Sequence, residues 1–248
     1  MHYYSFNAYL KEKFNERVQK ITLDAGLSCP NRDGTKGTGG CIYCDSRGSG
    51  NDASRQYPDL KAQALAGMNF LSKRFKARKF NAYFQSFCNT YAPLETLQSM
   101  YDEAVTLPGV VALSVATRPD CLTREILKLL TRYTDNLMVW LELGLQTTSD
   151  ETLRFINRGH TYKEFLDGYM LARNYPLLLC LHVIIGLPGE QRQHVISTAR
   201  EVSRVKPDGI KIHSLYIHRG TALEQLFKQG KYRPLEQGEF VGLACDFL

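Results

Sequence analysis

No apolar run in the sequence approaches the roughly 18 residues that a membrane-crossing helix needs. The longest, YPLLLCLHVIIGLP, is interrupted by His182 and bounded by prolines. The N-terminal stretch MHYYSFNAYLKEKF holds no apolar h-region, so a secretory signal is not expected. Low-complexity segments, long linkers and close repeats are also missing. These absences argue against a membrane partner and point to a cytoplasmic protein. Thiols stay reduced there, so seven cysteines read as metal-binding, catalytic or simply buried rather than as a disulfide framework.

The rest of the composition is that of an ordinary globular chain: 248 residues, 44% hydrophobic and 23% charged. Such a length buries a core without staples. A net charge of +6 permits an anionic partner, such as a nucleic acid or a phosphorylated cofactor. On charge alone, a mildly basic solvated surface is the simpler reading.

Six runs rich in Val, Ile, Leu and aromatics read as buried strands. They are RVQKITL at 17–23, NAYFQSF at 81–87, VVALSVA at 110–116, LMVWLEL at 137–143, LLCLHVII at 178–185 and GIKIHSLYI at 209–217. Helical stretches lie between them. Pro93 fits a first helical position and Thr123 a start. Thr161 with Glu164, and Thr221 with Glu224, have capping-box spacing. Strand–helix alternation of this kind predicts an α/β fold with a parallel sheet of six βα units. It could be an open doubly wound sheet or a partial barrel. In either, ligands collect at the carboxyl ends of the strands.

The first such end carries CPNRDGTKGTGGCIYC, residues 29–44, with Cys29, Cys41 and Cys44 spaced C-x11-C-x2-C. Glycines at 34, 37, 39 and 40 let the loop fold tightly. Zinc would want a fourth ligand, which Cys88 or Cys121 could bring from another strand end. A ferredoxin-type site would also want four cysteines. A four-iron cluster on three thiolates leaves one iron for a non-protein ligand. The residues alone leave these alternatives open.

Four motifs in order, GLSCPNRDGTKGTGGCIYC, TRPDCL, WLELGLQTTSDETLRFINRGHT and HVIIGLPGE, resemble those of radical S-adenosylmethionine (SAM) enzymes. Those enzymes use three cysteines, the last two as C-x-Φ-C with Φ aromatic, which here is Cys41-Ile42-Tyr43-Cys44. Their usual first spacing is three residues, and the eleven here departs from it. The motifs also resemble, more distantly, the radical SAM domain of Elongator-type tRNA-modifying enzymes. The likeness runs from about residue 15 to the end.

This resemblance implies a (βα)6 partial TIM barrel over 17–220, after an N-terminal extension over 1–16. Residues 221–248 would be a final helix and the start of a truncated C-terminal segment. It implies a 4Fe–4S cluster held by Cys29, Cys41 and Cys44, with SAM on the open iron. Tyr43 would pack near the adenine. Gln85, Ser86 and Asn89 would stand where relatives have a Gly-Gly-Glu-like stretch that bonds the SAM amino group. Thr117 and Arg118 would face the site, Glu142 and Gln146 would meet the ribose hydroxyls, and Arg158 would join them. Gly186 would let the backbone approach the adenine.

Plainer readings stand beside these. Arg118 could belong to a capped turn with Pro119 and Asp120. Glu142, costly to bury alone, could pair with Arg158 or Lys211. Cys88 suits a small buried residue and His182 a satisfied core histidine. Lys211 and His213 share one strand face. The implied activity is reductive cleavage of SAM to a 5′-deoxyadenosyl radical, fed by a one-electron donor of flavodoxin or ferredoxin type. The implied substrate is a tRNA wobble uridine. Its rivals are a small metabolite, or a zinc-stabilised nucleic-acid-binding module without catalysis.

Overall fold

The predicted strands are mostly near-continuous apolar runs, as strands covered on both sides are, and all six form. The computed structural model describes residues 3–48, 56–57 and 59–248. The strands are β1 (Val18–Leu23), β2 (Lys79–Phe84), β3 (Val110–Thr117), β4 (Met138–Gln146), β5 (Leu178–Ile185) and β6 (Gly209–Ser214). They pair in sequence order and every pair is parallel. Among the described residues β6 does not pair with β1, so the sheet is an open half-barrel, a partial TIM barrel.

The helices are α1 (Phe6–Phe14), α2 (Leu60–Phe75), α3 (Leu94–Val105), α4 (Arg124–Thr131), α5 (Asp150–Phe155), α6 (Tyr162–Ala172), α7 (Arg192–Val205), α8 (Ala222–Lys228) and α9 (Gln237–Phe247). Thr123 caps α4 through the Ile126 amide. Thr161 and Glu164 form a complete capping box on α6. The box expected at Thr221 is half formed. Its hydroxyl accepts from the Glu224 amide, but the Glu224 carboxylate accepts from Gly220 instead. Pro93 precedes α3 as its cap residue, one position earlier than expected.

The two faces of the sheet differ in chemistry. Leu113, Val115, Leu141, Leu143, Leu179, Leu181 and Val183 face the helices and are almost fully buried. They pack with Leu97, Tyr101, Leu127, Leu130, Phe165 and Tyr169. Burial of each such side chain stabilises the fold by about 1.5–3 kcal/mol. The inner face carries the alternate residues, among them Asn81, Tyr83, Ser114, Glu142, His182, Lys211 and His213. At its amino end Trp140 meets Phe6 and Tyr9 edge-on, with ring centroids 5.4 and 6.0 Å away. Helix α1 therefore closes the bottom of the trough. No helix of the described residues is long and apolar enough to cross a membrane.

Three strand ends lie three residues from expectation. The second strand stops at Phe84 rather than 87, because Ser86 and Phe87 adopt left-handed backbone with φ of 84° and 58°. The sixth stops at Ser214 rather than 217. The fourth runs on to Gln146, through a register shift between Gly144 and Gln146.

Candidate active site

The eleven residues between Cys29 and Cys41 form a small lobe. An antiparallel bridge joins Asp33 to Thr38. The Cys29 carbonyl accepts from the Arg32 amide at 2.8 Å, and the Pro30 carbonyl accepts from Lys36 and Gly37. The lobe is pinned outward as well. Lys36 meets Asp120 at 2.7 Å, and the Thr35 and Tyr91 hydroxyls meet at 2.8 Å. Buried Asn31 donates to the Asn157 carbonyl, while Asn157 donates to the Thr38 and Gly40 carbonyls. Arg32 donates to the Cys44 and Asp45 carbonyls. The long spacing is therefore a folded insertion that returns the chain to the strand ends.

Cys29, Cys41 and Cys44 line one cavity of about 360 Å³ at the carboxyl ends of the strands. Tyr43, Gln85, Ser86, Thr117, Arg118, Glu142, Gln146 and Arg158 line the same cavity. Two predicted residues do not. Asn89 is buried behind the wall, and its amide donates to the carbonyls of Phe84, Ser86 and Ala116. It braces the left-handed loop that presents Gln85 and Ser86. Gly186, with φ of 93°, lies under Leu235, and its carbonyl accepts from the Tyr232 hydroxyl at 3.0 Å.

The basic side chains of the cavity have distinct tasks. Arg118 spends its fork on Asp120, with Nε–Oδ1 3.0 Å and Nη2–Oδ2 2.9 Å, and gives its remaining nitrogen to the Arg158 carbonyl. This is the turn reading of Arg118, realised within the cavity wall. Burial alone would raise the Asp120 pKa, but Arg118 and Lys36 hold it down at about 2. Arg158 is the opposite case. It is buried, donates to the Gly144 carbonyl and sits 3.8 Å from Cys41 Sγ. Among the described residues it has no carboxylate partner, and its Nε has no acceptor. A buried cation wants an anion nearby, and the nearest candidates are the cysteine sulfurs. Gly144 makes room for it, since a Cβ there would lie 2.5 Å from Arg158 Nη2.

Donor spacing bears on which metal fits. Tetrahedral zinc with bonds of about 2.3 Å holds its sulfurs about 3.8 Å apart. Among the described residues, the group of three ligand atoms mutually within 4.8 Å is Glu142, Cys180 and His182, not the three cysteines. Cys88 lies beside Thr117 at 3.1 Å and does not line the cavity, and Cys121 faces away from it. The wider cysteine set, facing an unpaired arginine, fits a multi-iron cluster better than one compact ion.

Below the cysteines, Glu142 accepts from Lys211 Nζ at 2.5 Å and bonds His182 Nε2 at 2.6 Å. Lys211 also reaches the Tyr83 hydroxyl at 3.2 Å, and His213 Nε2 lies 3.3 Å from His182 Nδ1. Of the two expected salt-bridge partners, Lys211 pairs with Glu142 and Arg158 does not. Burial opposes the Glu142 charge, but His182 and Lys211 hold its pKa at about 2. Burial pushes the Cys180 thiol up to about 12. Lys211 thus already supplies the cation that a metal on Glu142, Cys180 and His182 would bring.

Comparison with known proteins agrees with this geometry. Residues 33–202 match the Radical SAM superfamily, and residues 207–248 match the Radical_SAM C-terminal domain. The YtqA protein of Bacillus subtilis (strain 168) is 39% identical over 246 residues, which are 99% of this chain and 76% of that protein. A tRNA uridine(34) acetyltransferase of Dehalococcoides mccartyi is 34% identical over 140 residues, covering 55% of this chain and 30% of that one. Among solved structures, an archaeal Methanocaldococcus infernus Elp3 with an N-terminal deletion shares the fold at a TM-score of 0.67 and 18% identity. The match covers 93% of this chain and 53% of that one.

Proposed function

The chain belongs to the radical SAM superfamily, and from that premise we propose that it binds a 4Fe–4S cluster and SAM and cleaves SAM reductively. The observation that carries the proposal is the convergence of Cys29, Cys41 and Cys44 on one cavity around a buried arginine that has no carboxylate partner among the described residues. The three thiolates would hold the cluster and leave one iron for SAM. When bound and reduced by the donor, the cluster would supply the one electron that breaks the S–C5′ bond of SAM into methionine and the 5′-deoxyadenosyl radical.

The chain's own residues prepare that site. Arg158 sets a positive charge 3.8 Å from Cys41 Sγ. Ser86 Oγ, buried and without a partner among the described residues, is available to a polar cofactor group. Tyr43 contributes a half-buried ring with a buried hydroxyl beside Cys41, and burial followed by the cysteine's charge keeps that hydroxyl protonated. Thr117 and Gln146 complete the polar wall.

The test is anaerobic reconstitution with iron and sulfide. About four irons per chain are expected, with 5′-deoxyadenosine released on adding SAM and a reductant. Alanine at Cys29, Cys41 and Cys44 together should abolish both. Retention of the same iron by that variant would refute the assignment, and zinc without labile iron would favour the binding-module reading.

The substrate we propose is tRNA at the wobble uridine, in the cytoplasm, with a flavodoxin- or ferredoxin-type protein as electron donor. Support comes from the partial likeness to a tRNA uridine(34) acetyltransferase and from the net charge of +6. Binding of tRNA should weaken steeply with salt, because phosphate contacts release counterions. Absence of such binding would move the reading to a small metabolite.

A further inference from the structure

The polar cluster on the trough floor has a hydrogen-bond order fixed by elementary valence. Glu142, charged, can only accept. His182 Nε2, 2.6 Å from it, must therefore carry a proton. Burial lowers the His182 pKa and lowers that of His213 to about 3, so both rings are neutral near pH 7. A neutral imidazole has one N–H, which leaves His182 Nδ1 as an acceptor. The atom facing it at 3.3 Å is His213 Nε2, which must then be the donor. By the same rule His213 Nδ1 carries a bare lone pair. Among the described residues no hydrogen bond engages that atom, and His213 lines the cavity shared with the three cysteines.

The surroundings keep this order. Lys211 from β6 neutralises Glu142, while its ammonium and that of Lys20 on β1 lie 4.7 and 4.4 Å from the Tyr83 ring centroid on β2. Cys180 on β5 is a protonated thiol at neutral pH. Among the described residues the remaining charged neighbours are cations, which keep the resting rings neutral and leave Glu142 as the one charge that offsets an imidazolium when it forms.

We propose that His213, His182 and Glu142 form a proton relay in which His213 Nδ1 is a general base facing a hydroxyl or amine of the substrate. The substrate X–H gives its proton to Nδ1, and the electron pair of that bond stays on X. The imidazolium so formed is stabilised through His182 by the Glu142 charge, in the manner of other His–carboxylate arrangements. Glu142 and His182 are positioning residues; His213 is the residue that touches substrate. The inference deepens the radical SAM reading by stating what the substrate must offer: an exchangeable proton near the carbon that loses its hydrogen atom.

The test is a long-range 1H–15N correlation spectrum of the full chain with 15N-labelled histidine, at about pH 7. Both His182 and His213 are expected as single Nε2–H tautomers. Finding His213 as the Nδ1–H tautomer, or either ring as imidazolium, would overturn the relay. The Glu142→Ala variant should lose the single-tautomer signature at both histidines while the spectrum of His2, remote in sequence, stays unchanged. An unaltered His213 in a folded Glu142→Ala chain would show that the two are not coupled, and would also overturn it. Should that variant fail to fold, the wild-type spectrum alone still decides. Neither measurement uses iron or SAM, so failure of the relay and failure of the cluster assignment are separate results.

Discussion

At the scale of single residues, the site depends on side chains that the sequence motifs do not advertise. Gly144 is one. Its missing Cβ gives Arg158 access to Cys41, so Gly144→Ala should displace the guanidinium. Loss of such a supporting partner typically costs 10–100-fold in metal affinity. Iron retention after chelator challenge is therefore expected to drop by about that range, with folding unchanged by circular dichroism. His213 gives a second residue-level expectation. Its pKa is lower in the folded chain than in the unfolded one, where it is about 6.5. Below that value the unfolded chain binds a proton that the folded chain does not. The stability it contributes is thus present above about pH 6.5 and lost as pH falls toward 3. The loss is at most about 1.4 kcal/mol per pH unit. Urea unfolding at pH 7 and pH 5 should show a shallower pH dependence in His213→Asn than in the wild type.

The cysteine triad was legible because its residues are close in sequence and sit after a recognisable strand. The sequence offers Lys211 as a partner for Glu142, but it gives no sign that His182 joins them. They occupy neighbouring strands, and only the registers Glu142 with Cys180 and His182 with Lys211 bring them together. Asn89 was misread for a related reason. A polar residue in a site loop can face the ligand or brace the loop, and spacing alone does not distinguish the two.

At the scale of elements, the strands were easiest to read. Their runs of Val, Ile, Leu and aromatics mark the buried sheet, while ends set by left-handed residues such as Ser86 and Phe87 carry no such signal. Helix packing hides another constraint. Gly168 lies within α6, where alanine is the better helix former by about 1 kcal/mol. A Cβ there would land on the Pro119 carbonyl oxygen, part of the backbone and unable to swing aside. Overpacking of this kind costs about 1–3 kcal/mol. Gly168→Ala is therefore expected to destabilise the chain despite its propensity, by a net of up to about 2 kcal/mol, measured by chemical denaturation. A more stable variant would mean that α6 can slide away from the turn.

At the scale of the whole molecule, the half-barrel separates two tasks by face. Apolar packing against the helices supplies stability, and the inner face is left free for chemistry. A closed barrel would fill that interior with layers of branched side chains. Here the interior instead carries Tyr83, Glu142, His182, Lys211 and His213, with α1 sealing the lower end against Trp140.

The folded insertion of the cysteine loop has a mechanical side. At one end, Ser28 beside Cys29 accepts from the Cys88 amide after β2. At the other, Ile42 donates to Ile156 at the end of α5 and accepts from Leu223 in α8. The loop is thus a strap whose anchors belong to the middle and last thirds of the chain. A cofactor gripped by thiolates at both ends would tighten it. Hydrogen–deuterium exchange should then slow at the α8 amides when the cluster is installed, far along the chain from any cysteine ligand, and quicken again on oxidation. Uniform exchange at α8 in both states would show the strap to be slack.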